Sequence, residues 1–193
     1  KDTGKFYVFV VGDSEVDQNY WLSQWEVGFA NGGIVTRQVR SLRIGSKSEA
    51  CEADDESGFL YVAEENVGIW RYPTDPAATG GGVLMCKVGW PDPLRHDVEG
   101  LAIVESGRGR LLVASSQGSD DFVALDLTDD DRLVGRFRLL GTEHTDGIAI
   151  VSTPLGPQYP RGLFVAQNGA GQPQSFTLAS WASIEQALQV DPR

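Results

Sequence analysis

An all-β chain built as a β-propeller, with four-stranded antiparallel blades, is the fold class that this sequence predicts. Three observations predict it. A unit of about fifty residues recurs along the chain, short apolar runs alternate with turn residues, and helical segments between the strands are missing.

The repeat is plainest in the second strand of each unit. Phe59-Leu-Tyr-Val-Ala63, Leu111-Leu-Val-Ala114 and Leu163-Phe-Val-Ala166 are versions of one strand, and their closing alanines lie 51 and 52 residues apart. An acidic start and a shorter apolar strand precede each: Glu49-Ala-Cys-Glu-Ala53, Asp97-Val-Glu-Gly-Leu-Ala-Ile-Val104 and Thr145-Asp-Gly-Ile-Ala-Ile-Val151. A weaker copy begins at Gly4, where Gly-Lys-Phe-Tyr-Val echoes Gly58-Phe-Leu-Tyr-Val. The strands between follow the same logic. Gly68–Tyr72, Asp121–Asp126 and Gly135–Leu140 are short, apolar and rich in β-forming residues. Asp75-Pro76, Gly80-Gly-Gly82, Asp129-Asp-Asp131 and Gly156-Pro157 punctuate them as turns. Only Ser180–Leu188, around Trp181 and Ile184, reads as a short helix, with Ser180 as its N-cap. Trp21, Trp25, Trp70, Trp90 and Trp181 are expected to pack between blades.

At about fifty residues per blade, 193 residues make just under four blades, roughly 3.5 to 4. Propellers close with about four to eight. The chain is then either a small closed ring or an incomplete arc of a larger one, and an arc leaves sheet edges open. A β-sandwich would not show this period, and a parallel α/β fold would need helices between its strands.

Composition narrows the function. Hydrophobic residues make up 41% and charged residues 22%, as in ordinary globular proteins. The longest apolar runs, such as Phe6–Val11, are strand-sized and far short of a membrane span. A net charge of −11 argues against nucleic acid and anionic membranes as partners. It also means that a polyanionic substrate would need a cation as mediator. The chain opens at Lys1 with neither an initiator Met nor a signal-peptide pattern, so a processed protein or a piece of a longer one is expected, and compartment is not read from it. Cys51 and Cys86 match no zinc spacing, and both a disulfide and two free thiols stay open.

The polar residues at repeat-equivalent positions carry the chemistry. In a propeller the first strands line the channel and their ends gather at one mouth. Glu49, Glu65, Asp97, Glu99, Gln117 and Asp146 are therefore expected to converge from neighbouring blades. Carboxylates at close range repel unless a cation neutralises them. Oxygen ligands without His or Cys suit Ca²⁺ or Mg²⁺ rather than zinc. Asp97 and Glu99, two apart on a strand, are expected to share a face. The alternative, that such acids cap turns or face water, stays open here. Asp54-Asp55-Glu56 and Asp129-Asp130-Asp131 are expected to be solvated turns. His96 and His144, each just before an acidic strand start, read as surface groups or supports.

Several stretches taken together resemble the β-propeller phytases. They are Ala53 to Trp70 (ADDESGFLYVAEENVGIW), Asp97-Val-Glu-Gly-Leu101, Ala114-Ser-Ser-Gln-Gly118, Thr145-Asp-Gly-Ile148, Tyr159 to Gln167 (YPRGLFVAQ) and the closing Val190-Asp-Pro-Arg193. They occur in that family's order over nearly the whole chain. The resemblance implies a six-bladed parent, of which residues 1–193 are the later blades, without the first two and part of the third. It implies several Ca²⁺ ions at the channel mouth, with Glu49, Glu65, Asp97, Glu99 and Gln117 as ligands and Asp146 as a further catalytic acid. The reaction it implies is hydrolysis of calcium phytate by metal-activated water, without a covalent intermediate. It further implies a secreted or periplasmic protein that is monomeric at full length, and an isolated 193-residue piece that is inactive.

Departures from the family pattern are visible. Ala50 replaces a glycine, a phosphate-binding lysine is missing near Asp13, and the acids of a structural calcium site are reduced to Glu143 before Thr145 and to Asn168-Gly-Ala-Gly171 after Gln167. Two other readings share the fold. One is a non-catalytic propeller that binds calcium and inositol phosphates. The other is a propeller hydrolase of another class, such as a lactonase.

Overall fold

The computed structural model describes residues 4–14, 19–107 and 109–189. The closing motif at 190–193 lies outside them. Among the described residues the chain forms successive antiparallel meanders. The first sheet is β1 (Phe6–Ser14), β2 (Asn19–Ala30) and β3 (Gly33–Ile44). The second is β4 (Ser48–Asp54), β5 (Phe59–Glu64), β6 (Gly68–Pro73) and β7 (Val83–Lys87). The third is β8 (Val98–Ser106), β9 (Gly109–Ser116), β10 (Asp121–Asp126) and β11 (Arg132–Phe137). The fourth is β12 (Ile148–Val151), β13 (Leu163–Asn168) and β14 (Ser175–Ser180), followed by helix α1 (Trp181–Gln189).

The strands that open sheets two to four, β4, β8 and β12, pack against one another in series, as strands lining a channel do. β1 also packs on β4, much as β5 packs on β8. With its Phe-Tyr-Val echo of β5, β1 therefore stands as a second strand, and the first sheet holds strands two to four of its blade. The result is an open arc of a β-propeller.

Period-two alternation explains why the second strands read as continuous apolar runs. On β5, Leu60 and Val62 face the first sheet with Leu22 and Ile44, while Tyr61 and Ala63 face the third with Leu112 and Ala114. On β9, Leu112 and Ala114 look back, while Leu111 and Val113 look forward to Phe164 and Ala166. The repeat alanines Ala63, Ala114 and Ala166 are all fully buried where adjacent sheets meet. Phe122, Phe137 and Phe164 form an aromatic cluster with ring centroids 5.0 to 5.5 Å apart. Trp181, Ile184 and Leu188, at helical spacing, seal α1 onto this core.

Four expectations need correction. The strand placed at Gly135–Leu140 runs instead from Arg132 to Phe137. Asp130 and Asp131 take positive φ (50° and 56°), so the turn is tight and Arg132 pairs at once with Asp126, which leaves Leu140 beyond the strand and exposed. Trp90 packs between no blades; it is almost fully exposed. Asp54 is not a solvated turn residue. It is buried, accepts hydrogen bonds from Glu56 N, Ser57 N and Ser57 Oγ, and pairs with Arg110 at 3.2 Å. Asp131 likewise is tied to Arg71 at 2.9 Å. Both aspartates shape their turns, as short acids do, but each also meets an arginine from a neighbouring sheet. The cysteines are free thiols: Cys51 lies toward the first sheet and Cys86 in the core between the second and third. Burial pushes the Cys86 thiol up to about 12.

Candidate metal centre

Backbone irregularities place the acids. Glu49 sits where the β4–β5 register breaks between Ser48 and Ala50. Glu99 sits in the equivalent break of β8 and β9, between Val98 and Leu101. A bulge re-aims the side chain it carries, and here both carry a glutamate toward the same mouth. Glu65 follows β5, donates its N–H to the Lys47 carbonyl and accepts at its own carbonyl from Val98 N, each at 3.0 Å. The first of these bonds recurs along the arc: Gln117 N donates to Asp97 O and Gln167 N to Gly147 O, both at 2.9 Å. Glu65, Gln117 and Gln167 are thus one position repeated in three sheets.

Glu49, Glu65 and Glu99 each bring a carboxylate oxygen within 4.8 Å of the other two. Glu49 is exposed and Glu99 buried, with Glu65 between. Burial pushes the Glu99 carboxyl up to about 7, and the charges of Glu49, Glu65 and Asp146 add to the effect against Lys47. Lys47 Nζ pairs with Glu49 Oε1 and lies 3.6 Å from Glu65 Oε1. Its ammonium is held above the usual lysine value, chiefly by Glu49.

Asp97, Gln117 and Asp146 form an adjoining set. Asp97 has a φ of 57° and precedes β8, so strand alternation is not what orients it, and it stands outside the three-glutamate group. Its Oδ2 lies 2.8 Å from His96 Nδ1. Gln117 Nε2 donates to Asp146 Oδ1 at 2.8 Å, and Asp146 N donates to Gln167 Oε1 at 2.9 Å. Gly100 N reaches the Asp146 carbonyl at 2.6 Å, tying β8 to the start of the fourth sheet. Sequence reasoning missed Lys47 and Gln167. Gln167 was legible as the counterpart of Gln117 after a Val-Ala pair; Lys47 was legible only as a cation two residues from Glu49.

The donor set fits a hard divalent cation. Three carboxylate oxygens converge without His or Cys among them, and the repulsion that adds to burial in raising Glu99 is what such an ion relieves. The shortened stretch around Glu143 is closed by protein groups. Asn168 Oδ1 accepts from Glu143 N and Ala170 N at 3.1 and 3.0 Å, and its Nδ2 donates to Gly141 O at 2.8 Å.

Among known proteins, the family model described as Phytase matches residues 1–193. The 3-phytase of Bacillus subtilis (strain 168) is 34% identical over 212 residues, an overlap of 99% of this chain and 54% of that protein. The chain therefore spans about half the length of this curated relative. Among solved structures, the β-propeller domain of Myceliophteria thermophila Cps50 (Swd1) superposes with a TM-score of 0.53 at 12% identity, over 90% of this chain and 54% of that one. That likeness is one of fold alone.

Proposed function

Because this chain belongs to the phytase family, we propose that the protein carrying it is a calcium-dependent phosphomonoesterase that hydrolyses phytate to lower inositol phosphates and phosphate. The observation that carries this reading is the meeting of Glu49, Glu65 and Glu99, from two adjacent blades, within 4.8 Å at one mouth of the arc. These three would hold the ion, with Asp97, Gln117 and Asp146 as further candidates beside them. Calcium held there would supply positive charge for phosphate oxygens and acidify nearby water.

The chain's own residues supply the rest. Glu99, buried and at the centre of the repulsion, is the group whose ionisation gains most from a cation. Asp146 is oriented from two sides, by Gln117 on its carboxylate and Gln167 on its backbone. In this reading it positions the attacking water and takes up its proton, so that water rather than a side chain is the nucleophile. His96 holds Asp97 at the rim. A net charge of −11 is compatible with a polyanionic substrate, because the substrate meets the cation before it meets carboxylate. Secretion or periplasmic residence, and a monomeric full-length protein, complete the proposal by family likeness.

Phosphate release from phytate by the full-length protein is the test. We expect release that requires calcium, stops with chelator and falls at least about a hundredfold in Glu99→Gln. Release that persists in chelator, or in Glu99→Gln, contradicts the reading.

A further inference from the structure

The three-carboxylate group already meets a cation of the protein's own. Lys47 Nζ pairs with Glu49 Oε1, stands 3.6 Å from Glu65 Oε1, and its charge is felt at Glu99. Two features make this more than a surface ion pair. The Lys47 carbonyl accepts the Glu65 N–H, so the lysine backbone is fixed at the mouth and its side chain starts from a set point. The same ammonium addresses carboxylates from two positions of the repeat, which is the task of the metal.

We infer that Lys47 is a built-in counter-ion that a divalent cation must displace, and that it thereby sets how much calcium the site needs. This rests on the reading of Glu49, Glu65 and Glu99 as a cation site. The physical basis is competition for lone pairs. Glu49 Oε1 cannot serve the ammonium and a calcium ion equally, and hard dications bind carboxylate oxygen more strongly than lysine does. The Lys47 side chain is 40% exposed, so it can swing into water without stranding a buried charge. Arg110, at 12% exposure on Asp54, has no such freedom. Once displaced, the ammonium still lies within one side-chain length of the ion and repels it. Without the ion, Lys47 offsets part of the carboxylate repulsion and keeps the site assembled.

Calcium titration by calorimetry on the full-length protein tests this, comparing wild type with Lys47→Gln, Lys47→Arg and Lys87→Gln. Lys87 is an exposed lysine at the end of β7. The expected result is calcium binding on the order of tenfold tighter in Lys47→Gln, from removing one unit charge at a few ångströms. Lys47→Arg, which keeps the charge, and Lys87→Gln, which lies outside the site, should stay near wild type. Unchanged or weaker binding in Lys47→Gln overturns the inference while leaving the cation site standing. Tightening in Lys47→Arg equal to that in Lys47→Gln also overturns it, because charge would then not be the cause. Calcium binding by none of the proteins, wild type included, removes the cation-site reading itself. If Lys47→Gln does not fold without calcium, its midpoint of thermal unfolding must rise with added calcium at concentrations about tenfold below those wild type needs. A higher requirement than wild type overturns the inference.

Discussion

Glu99 is where burial and like charge meet most sharply. Its carboxyl, ordinarily near 4.5, is pushed up to about 7. In the metal-free protein, between those two values, the unfolded chain has lost the Glu99 proton while the folded chain keeps it. The unfolded state binds fewer protons there, so stability falls as pH rises from about 4.5 to about 7. Thermal unfolding in chelator should show that fall, and Glu99→Gln should flatten it; an equal fall in both proteins contradicts this account. In the proposed site, calcium would have to displace the same proton, so its affinity should drop as pH is lowered through about 7. At this scale the sequence was informative where a polar residue recurred at a repeat position. Glu49, Glu65 and Glu99 were legible for that reason. Asp97 is less legible, because strand alternation does not govern a residue with positive φ just outside β8. Lys47 escaped notice because a lone lysine ordinarily reads as solvent-facing.

Elements position the acids through their irregularities more than through their regular parts. The register breaks in β4 and β8 fall at Glu49 and Glu99, and no alternation pattern announces a bulge. Gly100 completes the β8 device. A Cβ there would stand 2.6 Å from the Asp146 carbonyl oxygen and 2.7 Å from Ile148 N, both backbone atoms that cannot turn aside. Gly100→Ala should therefore destabilise the fold by about 1–3 kcal/mol and lower activity by moving Asp146 off Gln117. Gly81→Ala, where a Cβ meets nothing within 4 Å, should change neither. Urea unfolding and phosphate release would check both, and a neutral Gly100→Ala contradicts the tie between β8 and the fourth sheet. The offset of β11 has a local cause of the same kind. The Asp129–Asp131 turn hides its length until the positive φ values of Asp130 and Asp131 are known.

For the whole molecule, the fifty-residue period was the most legible feature, because each repeat must bury both faces of its second strand against neighbours. The arc ends on uncovered faces. Phe6 (77% exposed) and Ile34 (76%) crowd the outer face of the first sheet, and Phe176 (69%) and Leu178 (53%) that of the fourth. Residues 1–193 alone should therefore self-associate and bind a hydrophobic dye, and Phe6→Ser with Ile34→Thr should reduce both. Light scattering that finds a dispersed, dye-free monomer contradicts this view of the open faces.

The most direct measurement for the central claim is a crystal structure of the full-length protein grown with calcium, read by anomalous scattering. The account predicts an ion with oxygens of Glu49, Glu65 and Glu99 at roughly 2.3–2.6 Å and Lys47 turned away from Glu49. Calcium bound only elsewhere, with Lys47 still paired to Glu49, would contradict it.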